Sequence, residues 1–310
     1  MLTPRLGAFL LFFLLLGGGC ASDEASVEDS SVSNSAPITA AELASASYTG
    51  LFTAPIRLSD GKFVGKTYAP GSTTRPVAEL VTALQLHGDL NGDNLTEALV
   101  LLTTSSGGTG TYTHLALMGR RNGQLESLDT VLLGDRVQVR NLKSDGAMVL
   151  VELVEPGPEE AVCCPQSVVQ QQFQLIDDRL LFQRKVEIDR LSLDMLKGVT
   201  WDLVRLNVHE TDLPPGTVTL EVRDQRFAGS SGCNRYQTSV TETDAGSLTL
   251  GPIAGTMMAC GPPQDALETR YLAALQNVRR MGFVFGQLAL TYDGENGTDQ
   301  LIFSRQNSTE

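Results

Sequence analysis

The chain has few of the residues on which metal and nucleophile chemistry usually depends. Its 310 residues include three His and five Cys, and no Cys-x-x-Cys pair supports a thioredoxin-like redox role. Zinc is not expected, because no His-x-x-x-His or mixed Cys/His set occurs. Basic residues are also scarce, since 23 Lys and Arg stand against 36 Asp and Glu. The resulting net charge of -13 argues against nucleic-acid binding, which needs a basic surface.

One unbroken apolar run lies near the N-terminus, from Leu6 to Leu16. It is too short to cross a bilayer of ~30 Å as a helix, but it matches a signal-peptide core of roughly 7–15 residues. The run ends in Gly17-Gly18-Gly19-Cys20, which resembles the bacterial lipobox, although that motif usually has Leu at the position of Gly17. The resemblance implies cleavage before Cys20, acylation of its thiol and, with Ala21 next, outer-membrane sorting. The alternative is a plain secretory signal.

The length suggests about two domains after this leader. Residues 21–47 are small and polar, with five acids and no base, and such a segment buries too little apolar surface to fold alone. We therefore expect a signal peptide, a lipidated Cys with a flexible acidic tether, a β-rich domain, a linker and a second β-rich domain. Their predicted ranges are 1–19, 20–47, 48–188, 189–195 and 196–306.

The first domain is predicted to be mostly antiparallel β. From Tyr48, short β-rich runs are separated by Gly, Asp and Asn, and several alternate apolar with polar residues. No helical stretch of comparable strength occurs before about residue 190. Cys163 and Cys164 are adjacent, and the sequence leaves open whether they bond to each other, bond elsewhere or stay free. The predicted strands are 84–86, 98–103, 114–118, 131–133, 137–140, 147–153 and 168–176.

An acidic loop in this domain has the spacing of a site for a hard cation. Oxygen-bearing side chains occupy relative positions 1, 3, 5 and 9, and position 7 offers a backbone carbonyl. The loop resembles the Asp-x-Asn-Gly-Asp loops of FG-GAP-type hairpins, which occur as repeats, whereas one copy is present here. The alternative is an Asx-rich turn whose acids are merely solvated. The predicted ligands of Ca²⁺ are Asp89, Asn91, Asp93, Leu95 and Glu97.

The C-terminal third carries four motifs in order: Trp201–Leu206, Phe227–Tyr236, Leu248–Ile253 and Thr256–Cys260. Together they resemble the META domain, which is also found in heat-shock-inducible bacterial lipoproteins. The resemblance covers residues 196–306 and implies a small α+β fold. The motif residues carried over are Gly232, Asn234, Arg235, Tyr236 and Thr256, with Met257 standing where the family usually has Arg or Lys.

The residues of this domain predict an α+β fold independently. Apolar side chains recur on one face of a helix predicted over Gln264–Arg280, and Pro262-Pro263 suits its first turn. Strands are predicted at 281–285, 288–292 and 300–304. We expect the helix to pack on a small curved antiparallel sheet and to bury Trp201, Phe227, Phe283 and Phe285.

The domain also holds two cysteines, Cys233 and Cys260. In an exported protein they can form a disulfide, worth roughly 3–4 kcal/mol for a loop of this length in the loop-entropy model. The alternative is that they are buried free thiols that act as small apolar side chains. The disulfide is the favoured interpretation.

Three functions are compatible with these features. The favoured one is a non-catalytic cell-envelope lipoprotein that binds an envelope protein in maintenance or stress response. The second is a carrier of lipid or a small apolar ligand, since META-type folds are similar to secretion pilot lipoproteins. The third, a hydrolase or redox enzyme, needs a nucleophile and a base within hydrogen-bond reach. We expect no catalytic residues and a location on the periplasmic face of the outer membrane or at the cell surface.

Overall fold

The computed structural model describes residues 35–157, 160, 165–207, 210–211, 213–244, 246–295 and 297–306, which all lie in one compact unit. The predicted signal peptide, Cys20, Cys163 and Cys164 lie outside these residues. The named strands pair antiparallel, which confirms the prediction of a mostly antiparallel β protein. Across the described residues, no helix has the length and apolar character that crossing a membrane requires.

The described residues up to Arg190, here called the N-terminal half, form one short helix and eleven strands. The helix, α1, spans Ala40–Ala44. The strands are β1 (Ser47–Tyr48), β2 (Ile56–Arg57), β3 (Lys62–Val64), β4 (Val77–Gly88), β5 (Glu97–Ser105), β6 (Tyr112–Arg121), β7 (Gln124–Asp135), β8 (Gln138–Asp145), β9 (Met148–Glu155), β10 (Ser167–Ile176) and β11 (Arg179–Arg190).

Two antiparallel sheets of this half share a core. Strands β3 to β7 form a five-stranded sheet in chain order, and β8 to β11 form a four-stranded sheet, also in chain order. Alternate residues of β5 and β6, such as Leu99 and Leu117, are buried in one apolar cluster with Val151 and Phe173 of the second sheet. This arrangement is that of two sheets packed face to face, with the side chains of facing surfaces forming the core.

Both faces of β5 and β6 are buried. The residues that alternate with Leu99 and Leu117 along these two strands, such as Ala98, Val100 and Met118, belong to a second cluster on the opposite face. A strand with one solvated face alternates apolar and polar residues, whereas a strand buried on both faces is apolar throughout. The unbroken apolar run of β5 therefore reflects two-sided burial.

Residues 35–58 cover this second face. Within them we define residues 35–46 as the N-terminal arm, which contains α1. Ile38 and Leu43 of the arm, with Tyr48 and Leu58 beyond it, are buried against β5 and β6. A capping box begins α1, because Thr39 and Glu42 each accept a hydrogen bond from the other's backbone N–H.

The arm differs from the expectation of a flexible tether that extends to residue 47. Its few apolar residues cannot fold alone, but the exposed face of the β5–β6 sheet gives them a surface on which to pack. The segment expected as a linker at 189–195 is likewise structured. It holds the end of β11 and the start of a 3-10 helix, Leu193–Leu196, whose two Leu residues are buried.

The described residues from Trp201 onward, here called the C-terminal half, form one α-helix and ten strands. The helix, α2, spans Gln264–Gln276. The strands are β12 (Trp201–Asn207), β13 (Glu210–Thr211), β14 (Thr219–Arg223), β15 (Arg226–Ser230), β16 (Arg235–Asp244), β17 (Ser247–Leu250), β18 (Ala254–Gly255), β19 (Val278–Val284), β20 (Gln287–Gly294) and β21 (Gly297–Arg305).

These strands form a ten-stranded sheet that is larger than the small curved sheet expected. Strands β12 and β21 lie near opposite ends of the strand order and also pair with each other, so the sheet closes on itself. Leu267 and Tyr271 of α2 are buried with Trp201, Phe227 and Phe283 in its core. The expected packing of the helix against these aromatic residues is present.

Two expectations for this half differ from the structure. The helix ends at Gln276, not at Arg280, and Val278 reaches the core from β19. A β-branched residue suits a strand as well as an apolar helix face, so periodicity alone does not distinguish them. Phe285 occupies the β19–β20 turn with a positive φ and packs against the core of the N-terminal half.

Replacement of Leu43 with Ala tests whether the arm belongs to the folded body. Leu43 is fully buried, so Leu43→Ala should lower the free energy of unfolding by about 2–5 kcal/mol, measured by urea denaturation. Leu181→Ala on β11 is the control, because this side chain is 41% exposed and should have a much smaller effect. Equal, small effects of both substitutions would mean that the arm contributes nothing to stability.

Candidate cation site

The acidic loop joins β4 to β5 and folds around the side chain of Asp89. Its Oδ1 accepts hydrogen bonds from the backbone N–H groups of Gly92 at 2.7 Å and Asp93 at 3.1 Å, and Oδ2 accepts one from Asn94 at 2.9 Å. These donors, Asn94 first, hold the pKa of Asp89 below its usual value. Asn94 has a φ of 64°, a left-handed conformation that Asn tolerates better than most residues.

Three carboxylates converge on this loop. One oxygen each from Asp89, Asp93 and Glu97 lies within 4.8 Å of the other two. Ligand oxygens lie about 2.3–2.6 Å from Ca²⁺, so opposite ligands of one ion are separated by roughly 4.6–5.2 Å. The three oxygens are therefore close enough to bind a single cation.

Glu97 is the unusual member of this cluster, because its side chain is fully buried. Its Oε2 accepts a hydrogen bond from the backbone N–H of Leu90 at 3.0 Å, but its Oε1 has no hydrogen-bond partner among the described residues. Burial raises the pKa of Glu97, and the negative charges of Asp93 and Asp89 raise it further. A buried carboxylate oxygen without a donor is costly, and a cation between the three acids would satisfy it.

Asn91 and Leu95, the other two predicted ligands, form hydrogen bonds within the loop. Asn91 Oδ1 accepts a hydrogen bond from the backbone N–H of Asp93 at 2.9 Å, and the Leu95 N–H donates to Asp93 Oδ1 at 2.8 Å. These contacts are those of an Asx turn and do not by themselves indicate a ligand. The structure thus brings together the three carboxylates among the five predicted ligands, and the buried oxygen of Glu97 that has no donor is what a simple turn leaves unexplained.

The META motif residues form a hydrogen-bond network centred on Asn234. Asn234 is buried, and its Oδ1 accepts hydrogen bonds from the Met258 N–H at 2.8 Å and from Thr256 Oγ1 at 2.7 Å. Its Nδ2 donates to Glu268 of α2 at 3.0 Å, and Ser231 Oγ donates to the other carboxylate oxygen of Glu268 at 2.6 Å. The motif therefore links the loop after β18 to the helix.

The remaining motif residues support the same loop. Gly232 has a φ of 108°, which Gly adopts without strain. The backbone N–H of Arg235 donates to Thr256 Oγ1 at 3.2 Å, while the Arg235 side chain is exposed. Tyr236 is buried, and its hydroxyl lies 2.6 Å from that of Tyr271. Burial raises the pKa of Tyr236, so this pair stays neutral.

Cys233 and Cys260 form a disulfide, which confirms the pairing that the sequence favoured. Their Cα atoms are 6.3 Å apart, within the usual range for a disulfide. The bond joins the motif loop to the segment that carries Met257 and Met258, which are 98% and 62% exposed. This loop therefore presents two apolar side chains to solvent on a constrained backbone.

Sequence reasoning missed two polar residues that organise these regions. The pattern of α2 indicates a role only for its apolar residues. The role of Glu268 is shown by its contacts with Asn234 and Ser231. Arg120 is buried and pairs with Glu42 of the arm at 2.7 Å. A charged residue directly after the apolar run of β6 is the one sequence signal that could have indicated it.

Comparison with known proteins identifies the C-terminal domain. Residues 194–308 match the family model of the META domain, which confirms the resemblance seen in the motifs. The NMR structure of a protein from Burkholderia xenovorans is 28% identical, and the match covers 41% of this chain and 96% of that chain with a TM-score of 0.31. No curated protein matches this chain.

Replacement of Glu97 with Gln tests whether its buried charge is uncompensated. In EDTA, Glu97→Gln should raise the free energy of unfolding by about 1–3 kcal/mol, because it removes a buried charge that two acids repel and keeps the bond from Leu90. The variant should also lose any stabilisation by CaCl₂ in thermal melts. Asp145→Asn, at an exposed acid outside the loop, is the matched control and should change neither property. A less stable Glu97→Gln protein in EDTA would contradict this interpretation.

Proposed function

We propose that the chain is a non-catalytic, lipid-anchored protein of the cell envelope that binds Ca²⁺ through Asp89, Asp93 and Glu97. The observation that carries the cation site is the fully buried Glu97 oxygen, which has no hydrogen-bond donor and lies beside two further carboxylates. Calcium is favoured over zinc because every candidate ligand is an oxygen. It is favoured over magnesium because Mg²⁺ demands near-ideal octahedral geometry and gives up its water reluctantly, whereas Ca²⁺ accepts flexible, mixed oxygen coordination.

The expected affinity agrees with a location outside the cytoplasm. Asp89 and Asp93 are exposed, and three carboxylates leave several coordination positions to water. Sites of this kind in extracellular modules bind Ca²⁺ with dissociation constants of about 10⁻⁴–10⁻³ M. The apolar run from Leu6 to Leu16 and the Gly17–Cys20 motif support export and lipid attachment independently.

We propose that the META domain acts by binding an envelope protein in maintenance or stress response. Met257 and Met258, held by the disulfide, offer an exposed apolar contact for such a partner. A carrier function has less support, because Trp201, Tyr271 and Phe303 fill the interior of the closed sheet. An enzymatic function also has less support, because Cys233 is bonded to Cys260 and so is not a free nucleophile.

Calorimetric titration of the purified full-length protein tests the cation site. We expect one Ca²⁺ site with a dissociation constant of about 10⁻⁴–10⁻³ M. Asp93→Asn should weaken binding at least about tenfold, since it removes a charged ligand, whereas Asp145→Asn should bind as the unchanged protein does. MgCl₂ should bind more weakly than CaCl₂. Absence of Ca²⁺ binding by the unchanged protein would refute the site.

Replacement of Cys20 with Ser tests the lipid anchor. The unchanged chain should fractionate with membranes and incorporate a labelled fatty acid, because its acyl chains hold it there. Cys20→Ser should release it from the membrane fraction and abolish labelling. Incorporation of the label by Cys20→Ser, or its absence from the unchanged chain, would contradict acylation at this residue.

A further inference from the structure

The first described residue of the N-terminal arm is bonded to the cation loop. Thr96 Oγ1 donates a hydrogen bond of 2.9 Å to the backbone carbonyl of Ser35. Thr96 directly precedes Glu97, the buried ligand with which β5 begins. A single peptide unit therefore joins the contact with the arm to the candidate ligand.

The side chains of Thr96 and Glu97 lie on opposite faces of the same sheet. Leu99 and Leu101, which share the face of Glu97, are buried in the core between the two sheets. Ala98 lies on the opposite face, which the arm covers. Because side chains alternate along a strand, the position of this strand end affects the cation loop and the arm together.

A second attachment of the arm lies on the neighbouring strand. Glu97 is opposite Gly119 of β6, and the next residue is the buried Arg120. The Arg120 guanidinium donates to the carbonyl of Pro37 at 3.1 Å and pairs with Glu42 at 2.7 Å. These two attachments thus lie one residue away from Glu97 and from Gly119, which faces it.

From this arrangement we propose that Ca²⁺ binding at Asp89, Asp93 and Glu97 locks the N-terminal arm onto the sheet, an inference that rests on the proposed cation site. Without the ion, the three carboxylates repel one another and loosen the start of β5. With it, the loop and the Thr96 hydroxyl are held where the arm docks. The arm leads toward Cys20, so the ion would control how the folded body is attached to its proposed anchor.

The coupling must act in both directions. If Ca²⁺ favours the docked arm by a given factor, then the docked arm favours Ca²⁺ binding by the same factor. Leu43→Ala, which weakens docking and leaves all three candidate ligands in place, should therefore weaken Ca²⁺ binding. A purely local site would bind Ca²⁺ equally well with and without this substitution.

Hydrogen exchange of the full-length protein, with CaCl₂ or with EDTA, tests the proposal. Ca²⁺ should slow exchange in peptides covering residues 36–46 by about fivefold or more, the lower range of allosteric coupling. Peptides from β16 and β17 in the other half serve as the internal control and should not change. Asp93→Asn should remove the effect on the arm.

Thr96→Val is the decisive variant, because it removes the bond to Ser35 and keeps all three carboxylates. It should still bind Ca²⁺ in the calorimeter, but the arm should respond less to the ion. If the unchanged protein binds Ca²⁺ and the arm does not respond, the coupling is wrong and the cation site stands. If Thr96→Val responds like the unchanged protein, the proposed route is wrong. If the unchanged protein binds no Ca²⁺, both proposals fail.

Discussion

Burial of both faces of β5 and β6 is the constraint on which the N-terminal half depends. These strands cannot leave either face to water, because their residues are apolar on both sides. The second sheet covers one face, and residues 35–58 cover the other. The arm is therefore part of the fold, although its own sequence is polar enough to resemble a flexible tether.

Glu97 lies where this two-sided burial meets an acidic loop. As the first residue of β5 it is carried into the core, yet one of its oxygens has no donor among the described residues. In the proposed Ca²⁺ site this buried charge would be a ligand beside two exposed aspartates. Thr96, the residue before it, bonds to the arm. The two proposals therefore connect stability, cation binding and attachment at one strand end.

Sequence reasoning predicted the features that local patterns determine. Short β-rich runs bounded by turn residues predicted the strands at 98–103 and 168–176, and the motifs around Trp201 and Asn234 predicted the META domain. Sequence reasoning did not predict that the arm packs on the sheet or that the C-terminal sheet closes on itself. Both features depend on contacts with residues distant in the chain. The loop spacing indicated five ligands, and the structure shows that the carboxylates of three of them, Asp89, Asp93 and Glu97, converge. Only three-dimensional packing shows that Glu97 is buried.

The most direct test of this account is a crystal structure of the full-length protein grown with CaCl₂. We expect density for one cation about 2.3–2.6 Å from carboxylate oxygens of Asp89, Asp93 and Glu97, with water completing its coordination. We also expect the arm to lie against β5 and β6 in the same crystal. Glu97 Oε1 bonded to an ordered water, with no cation density at saturating CaCl₂, would contradict the central claim.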